Sequence, residues 1–333
     1  MTDEMQTDII TKNRTEQNRT AITLQQTNVL KGIAILIVTV GHFYRYAFNA
    51  SGIMHSVAFF GATLFAFLTG YGITLSYEAK GFGGKAIIWV IKRWLKVNIP
   101  FILVNIISVT FIYRGKNNIP VLNRILFGAD DFVQWYIPFI SLFYIVFVIS
   151  CVLGKKHRVI LFTILSAICL ALGIVFIDVS NCYTSIGALV LGVYLAYNGE
   201  KVNGVKRPGI IVIGNFILWI LFSLISKKWD EIAIIKDVFT TLAGVVFSGA
   251  CFFFIIFINK NEKLGIHWID TILAFLGSIS LWLYLTHMKV MLLFMKNPNH
   301  KVFLYVILSI FIAYVCSWIY GRVSNLFREK FIR

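Results

Sequence analysis

Ten apolar runs fill nearly the whole chain, at roughly 28–48, 54–77, 93–113, 132–153, 159–177, 183–198, 209–225, 238–258, 271–295 and 302–321. A membrane-crossing helix needs about 20 mostly apolar residues. Runs of this length joined by short polar connections predict an all-α, polytopic membrane protein, a bundle of about ten transmembrane helices over 28–321. Composition points the same way: of 333 residues 58% are hydrophobic and only 14% charged, against about a quarter charged in soluble domains. Too little polar surface is available to cover a water-soluble core. The short loops also leave no room for an inserted extracytoplasmic catalytic module.

A net charge of +16 would suit nucleic acid, but the placement of the charges argues for a membrane. With the N-terminus inside, 21 of the 31 Lys and Arg residues fall on inner segments. That is the positive-inside bias, and it predicts a multi-pass cell-membrane protein with both termini in the cytoplasm. Anionic lipid headgroups then account for most of the excess charge, without a nucleic-acid partner. Residues 1–27 are polar, lack a signal-type apolar core and read as a disordered cytoplasmic tail. Residues 322–333 read as a short basic cytoplasmic tail. Five cysteines, Cys151, Cys169, Cys182, Cys251 and Cys316, are scattered without a CxxC pair and read as apolar fillers. No zinc-ligand set, nucleotide loop or dinucleotide fingerprint is present, so no metal site is expected.

Polar groups inside spans are costly and carry the remaining information. In the first span, Lys31 and His42 are eleven residues apart, close to whole turns, so they share a helix face about 16 Å apart. A cation near one surface and a base past the midplane suit chemistry that crosses the bilayer. An interfacial lysine and a histidine bonded to a neighbouring helix fit the same stretch. In the second span, Gly70 and Gly72 allow a close backbone approach, and Thr69 and Tyr71 can bond across helices. Lys92, Arg93 and Lys96, spaced three and four apart, can project from one sector of the third span. Crowded like charges suit an anion such as the phosphates of a nucleotide-like cofactor, or equally the headgroups to which such residues snorkel. Outside, Asp130, Asp131 and Trp135 resemble a sugar-holding edge, although interfacial Trp is also the ordinary membrane belt. In the ninth span Ser280, Tyr284 and His287 form a polar stripe at i, i+4 and i+7, with Gly277 in line.

Taken together, these motifs resemble those of the acyltransferase-3 family of integral membrane acyltransferases, of the surface-polysaccharide O-acetyltransferase type. The family's first helix carries Arg or Lys, ten residues, then His, here Lys31 and His42. Its second has a Phe-x-x-Ser-Gly-Tyr-like patch, here Phe67-Leu68-Thr69-Gly70-Tyr71. Its third opens with Arg-x-x-Arg, here Arg93 and Lys96. A Trp begins its fourth helix, here Trp135. Its late motif, Ser-Tyr-x-Leu-Tyr-Leu-x-His, is matched by Ser280 to His287 with Leu281 at the first Tyr position.

The resemblance implies transfer of an acyl group, usually acetyl, from cytoplasmic acyl-CoA to a hydroxyl of an extracytoplasmic or lipid-linked glycan. Acyl-CoA is then a co-substrate and no cofactor is bound permanently. Arg93, Lys96, Lys31 and Lys92 would hold the CoA phosphates. His42 would act as general base or as acyl carrier, while His287 and Tyr284 would orient the acceptor or stabilise the oxyanion. Trp135, Asp130, Asp131, Tyr71 and Ser280 would contact the acceptor. The rival class is a glycan or solute transporter using the same stripe as a path. Against it, no inverted repeat is evident, and Asp and Glu sit only in loops and at span edges. A membrane scaffold would leave the ordered motifs unexplained.

Overall fold

The structure, a computed structural model, describes residues 21–47, 53–80, 86–112, 120–128, 135–176, 183–261, 267–294 and 301–331. Asp130, Asp131, Cys182 and most of the N-terminal tail lie outside the described residues. Among those described, the chain forms 13 α-helices and no strand. They are α1 (Leu24–Ala47), α2 (Ile53–Lys80), α3 (Ala86–Ile107, continued by a π turn over Ser108–Ile112), α4 (Val121–Phe127), α5 (Tyr136–Gly154), α6 (Arg158–Phe176), α7 (Ile186–Tyr197), α8 (Gly199–Asn203), α9 (Pro208–Lys228), α10 (Ala233–Lys260), α11 (His267–Ser278), α12 (Ser280–Met291) and α13 (Val302–Phe331). The protein is an all-α polytopic membrane protein.

Seven of these helices, α1, α2, α3, α5, α9, α10 and α13, are long and apolar enough to cross a membrane. The bent pair α11–α12 together is long and apolar enough to be a broken span or a re-entrant loop, and α6 and α7 are shorter apolar helices. All ten apolar runs are therefore helical, but not all are straight, full-length spans.

Helix α1 begins four residues ahead of its apolar run because a capping box starts it. The Thr23 backbone N–H donates to Gln26 Oε1 at 2.7 Å, and the Gln26 N–H donates to Thr23 Oγ1 at 3.2 Å. At the other end of the chain, α13 runs on to Phe331 through the stretch expected as a tail.

The bundle is organised from α2 outward. In its apolar window 78% of α2 is buried, whereas no residue in the window of α9 is fully buried, and α9 packs along one side only, where Trp219 meets Phe60 and Phe247. Lipid tails are as apolar as leucine, so helices in a bilayer associate by close packing rather than by escaping water. The contacts reflect this. A Cβ on Gly70 of α2 would collide with the Leu189 carbonyl oxygen of α7, and one on Gly192 of α7 with the Phe67 carbonyl oxygen. Helix α1 meets α11 in the same way, Gly32 against Leu273 and Gly277 against Asn28. Gly72, expected to allow a similar approach, has nothing within 4 Å of the Cβ position.

The largest departure from expectation is in the ninth run. It is not one helix but two, bent by 76° around Ile279. Inside a bilayer a break exposes carbonyls that no water can satisfy. Here the flanking hydroxyls cover them: Ser278 Oγ donates to the Phe275 carbonyl at 2.6 Å, and Ser280 Oγ to the Gly277 carbonyl at 2.8 Å. The stripe of Ser280, Tyr284 and His287 is thus carried by α12 alone, while Gly277 belongs to the crossing of α11 with α1.

Two contacts fix which helix ends share a face. Gln26 Nε2 donates to Asn259 Oδ1 at 2.6 Å, and Arg158 pairs with Glu78 at 2.7 Å. The start of α1, the end of α2, the start of α6 and the end of α10 therefore lie together. Arg93, on the first turns of α3, belongs to this basic face through its bond to Gly72 of α2. Asp237 is buried in the first turns of α10, where its carboxylate accepts the Tyr183 hydroxyl at 2.6 Å. The described cysteines Cys151, Cys169, Cys251 and Cys316 are free thiols, buried or half-buried.

Candidate active site

Two polar clusters lie along α1. The deeper one joins His42 to His287, which sequence order separates by 245 positions. His42 Nδ1 and His287 Nε2 are 2.8 Å apart, with ring planes within 7° of one another. His42 is 8% exposed and His287 0%. The protonation pattern follows from the partners. His287 Nδ1 lies 3.0 Å from the Leu283 carbonyl oxygen and 2.8 Å from that of Tyr284. Carbonyls only accept, so this nitrogen carries the proton, and in the neutral ring Nε2 is left as an acceptor. His42 Nδ1–H donates to it, which makes Nε2 of His42 the nitrogen with the available lone pair. Two neutral rings and two carbonyls of α12 thus fix the tautomer of His42.

Aromatic side chains wall the pair. The Tyr46 ring is 6.0 Å from His42 and the Tyr284 ring 6.1 Å from His287. Tyr136, on the first turn of α5, sits 5.8 Å from Tyr284, and its hydroxyl shares a 2.9 Å hydrogen bond with Thr69 Oγ1. Trp135 packs edge-on against Tyr136 at 5.8 Å. Tyr305 of α13 stacks on Phe43 at 4.7 Å and locks the turn of α1 that carries His42.

The second cluster is cationic and lies about eleven residues, roughly 16 Å, along α1. Lys31 is within electrostatic reach of Lys96 and Arg93. One Arg93 guanidinium nitrogen donates to the Gly72 carbonyl at 3.2 Å. The guanidinium lies over the Trp89 ring, 4.9 Å from its centroid, and Trp89 is itself tied to Ser76 Oγ at 3.2 Å. Arg93 also interacts with the Tyr144 hydroxyl. Lys96 is exposed. Lys92 is exposed as well and has no hydrogen-bond or ion-pair partner among the described residues.

Helix α5 connects the clusters. Tyr144 meets Arg93 at one end, and Tyr136, eight residues or about 12 Å away along the helix, meets Thr69 and Tyr284 at the other. In the sequence Tyr136 figures only with Trp135 as an interfacial aromatic pair, and Tyr144 is one aromatic in a run dense with them; their meetings with Thr69 and Arg93 emerge only in the fold.

A model for the acyltransferase-3 family, described as an acyltransferase domain, matches residues 25–322. The chain belongs to this family. No curated protein and no solved structure matches it. The protein is accordingly a membrane acyltransferase, and the residues that carry the family's motifs can be sorted by where they lie. In this acyltransferase His42, His287 and Tyr284 come together, and so do Lys31, Arg93 and Lys96. Trp135 lies beside Tyr136, whose ring meets that of Tyr284.

Two expected acceptor contacts do not belong there. Tyr71 is buried against Phe67 and Phe252, and its hydroxyl accepts the backbone N–H groups of Ala21 at 3.2 Å and Ile22 at 3.4 Å. It secures the chain ahead of α1 on the basic face of the acyltransferase. Ser280 is committed to the Gly277 carbonyl at the helix break. Asp130 and Asp131 lie outside the described residues.

Proposed function

We propose that this acyltransferase moves an acyl group, acetyl in the simplest case, from acyl-CoA on the basic, cytoplasmic face to a hydroxyl of a glycan presented from the opposite side. The observation that carries the reading is the His42–His287 hydrogen bond, which leaves the lone pair of His42 on Nε2. In the proposed step the glycan hydroxyl oxygen attacks the thioester carbonyl while His42 Nε2 takes its proton. The C–S bond then breaks, and the departing sulfur recovers that proton from Nε2 as the free CoA thiol. His287 holds the tautomer and shares the developing positive charge of the imidazolium. The hydroxyls of Tyr284 and Tyr136 serve as donors to the tetrahedral oxyanion.

Arg93 and Lys96, with Lys31, hold the donor's phosphates. The pantetheine arm follows α5 past Tyr144 and Tyr136 to reach Nε2. Trp135, with Asp130 and Asp131 ahead of it in sequence, faces the sugar. Against a transporter reading, the imidazole pair is held by carbonyl oxygens of α12 rather than set against a carboxylate for proton coupling.

The test uses full-length protein reconstituted in lipid nanodiscs with labelled acetyl-CoA and an isolated cell-envelope glycan. Label is expected to pass to the glycan with the wild-type protein and not with His42→Ala or His42→Gln at matched protein levels. Undiminished transfer by both variants would end the assignment. Trapping label on the wild-type protein before glycan is added would identify Nε2 as an acyl carrier rather than a base.

A further inference from the structure

A second polar site lies on the basic face, away from both clusters. Where α9 begins and α10 ends, a cavity of about 480 Å³ opens between the two helices, within the range of small-molecule sites, about 300–1,000 Å³. Lys206, Arg207 and Lys260 supply its charge, and Ile210, Ile213 and Phe257 its apolar wall. Among the described residues no acidic side chain lines it, and no lining residue comes from α1 or α3, which carry the other cations.

The three cations are held differently. Lys260 Nζ donates to the Asn203 carbonyl at 3.1 Å and to the Val205 carbonyl at 2.6 Å, so it is fixed and has one of its three N–H donors left. Lys206 and Arg207 are exposed and have no side-chain partner among the described residues. Ile210 is 61% and Ile213 63% exposed, on a helix long and apolar enough to cross a membrane.

We infer that this cavity is a binding site for the headgroup phosphate of an anionic phospholipid. A lone inorganic phosphate or a soluble nucleotide would satisfy the cations but leave the isoleucine wall bare. A lipid satisfies both, with its phosphate at Lys206, Arg207 and Lys260 and its chains along Ile210, Ile213 and Phe257. A zwitterionic headgroup brings its own cation into a site that has no acid to receive it. Basic pockets between membrane helices hold anionic headgroups by this combination. The proposal is independent of the acyl-transfer mechanism, since it uses none of the same residues.

The experiment places the full-length protein in nanodiscs with equal phosphatidylglycerol and phosphatidylcholine, extracts it into a neutral detergent and counts retained lipids by native mass spectrometry. The wild-type protein is expected to retain phosphatidylglycerol selectively. At roughly fivefold for each surface cation removed, Lys206→Gln with Arg207→Gln should lower that selectivity about 25-fold, and either change alone about fivefold. Lys201→Gln, an exposed cation of α8 outside the cavity, should leave it unchanged. Equal retention of the two lipids by the wild type, or undiminished selectivity in the double variant, would overturn the inference. So would a double variant that keeps its phosphatidylglycerol but loses affinity for acetyl-CoA, an outcome that assigns the cavity to the donor instead.

Discussion

The two ends of the polar face of α1 are built on opposite plans. At the His42 end every described ring nitrogen in the pair has a defined role, both rings are buried, and the partner arrives from α12, far away in sequence. At the Lys31 end the cations are half-buried or exposed, and they hold positions through a backbone carbonyl, an aromatic face and an asparagine. Lys31 Nζ, for instance, reaches Asn28 Oδ1 at only 3.4 Å. The contrast follows from what each end must do. A proton is transferred over a fraction of an ångström, so its acceptor must be fixed. A polyphosphate is recognised by charge over several ångströms, so its partners can adjust.

Breaking the fixed end should cost most. His42→Ala is expected to lower kcat for acyl transfer by about 10³-fold or more, as loss of a general base does, with little change in KM for acyl-CoA. His287→Ala should follow, by about 10²-fold, because His42 then has no acceptor for Nδ1–H and both tautomers are populated. His287→Gln sharpens the comparison: its carbonyl can still accept that proton, so recovery of a good part of the lost kcat marks a tautomer-fixing role that mere packing would not give. At the adjustable end, Arg93→Ala with Lys96→Ala should raise KM for acyl-CoA by about 10- to 100-fold and leave kcat nearly intact, the value of one or two charge-assisted bonds. A normal KM would show that these cations serve the membrane rather than the donor. Lys92→Ala should change neither constant by more than about twofold, since nothing in the structure draws Lys92 into the cluster.

Much of this organisation is readable in the chain. Long apolar runs must become helices in lipid, and Lys31, His42, Arg93, Lys96, Tyr284 and His287 stand out as polar residues where polar residues are expensive. What stays hidden is pairing and termination. Nothing near His42 announces that its partner is His287, because helix periodicity carries no information on which helices touch. The break at Ile279 is equally silent: there is no proline, and the serines that satisfy its carbonyls look like part of a continuous stripe. Tyr71 misleads for a related reason. A tyrosine beside a helix-packing glycine suggests a cross-helix bond, but its hydroxyl goes to the backbone of Ala21 and Ile22 instead. Tyr144 is lost among the aromatics of α5 until Arg93 is seen to meet it.

Arg93 is held by a peptide carbonyl and an indole ring, neither of which bears a net charge. No acid has to be displaced before an incoming anion can bind, and the seat keeps its full electrostatic pull. When empty it is balanced only by mobile counterions, which each arriving donor releases. Occupancy of this end of the protein should therefore weaken steeply as ionic strength rises, while the uncharged imidazole pair stays indifferent to salt.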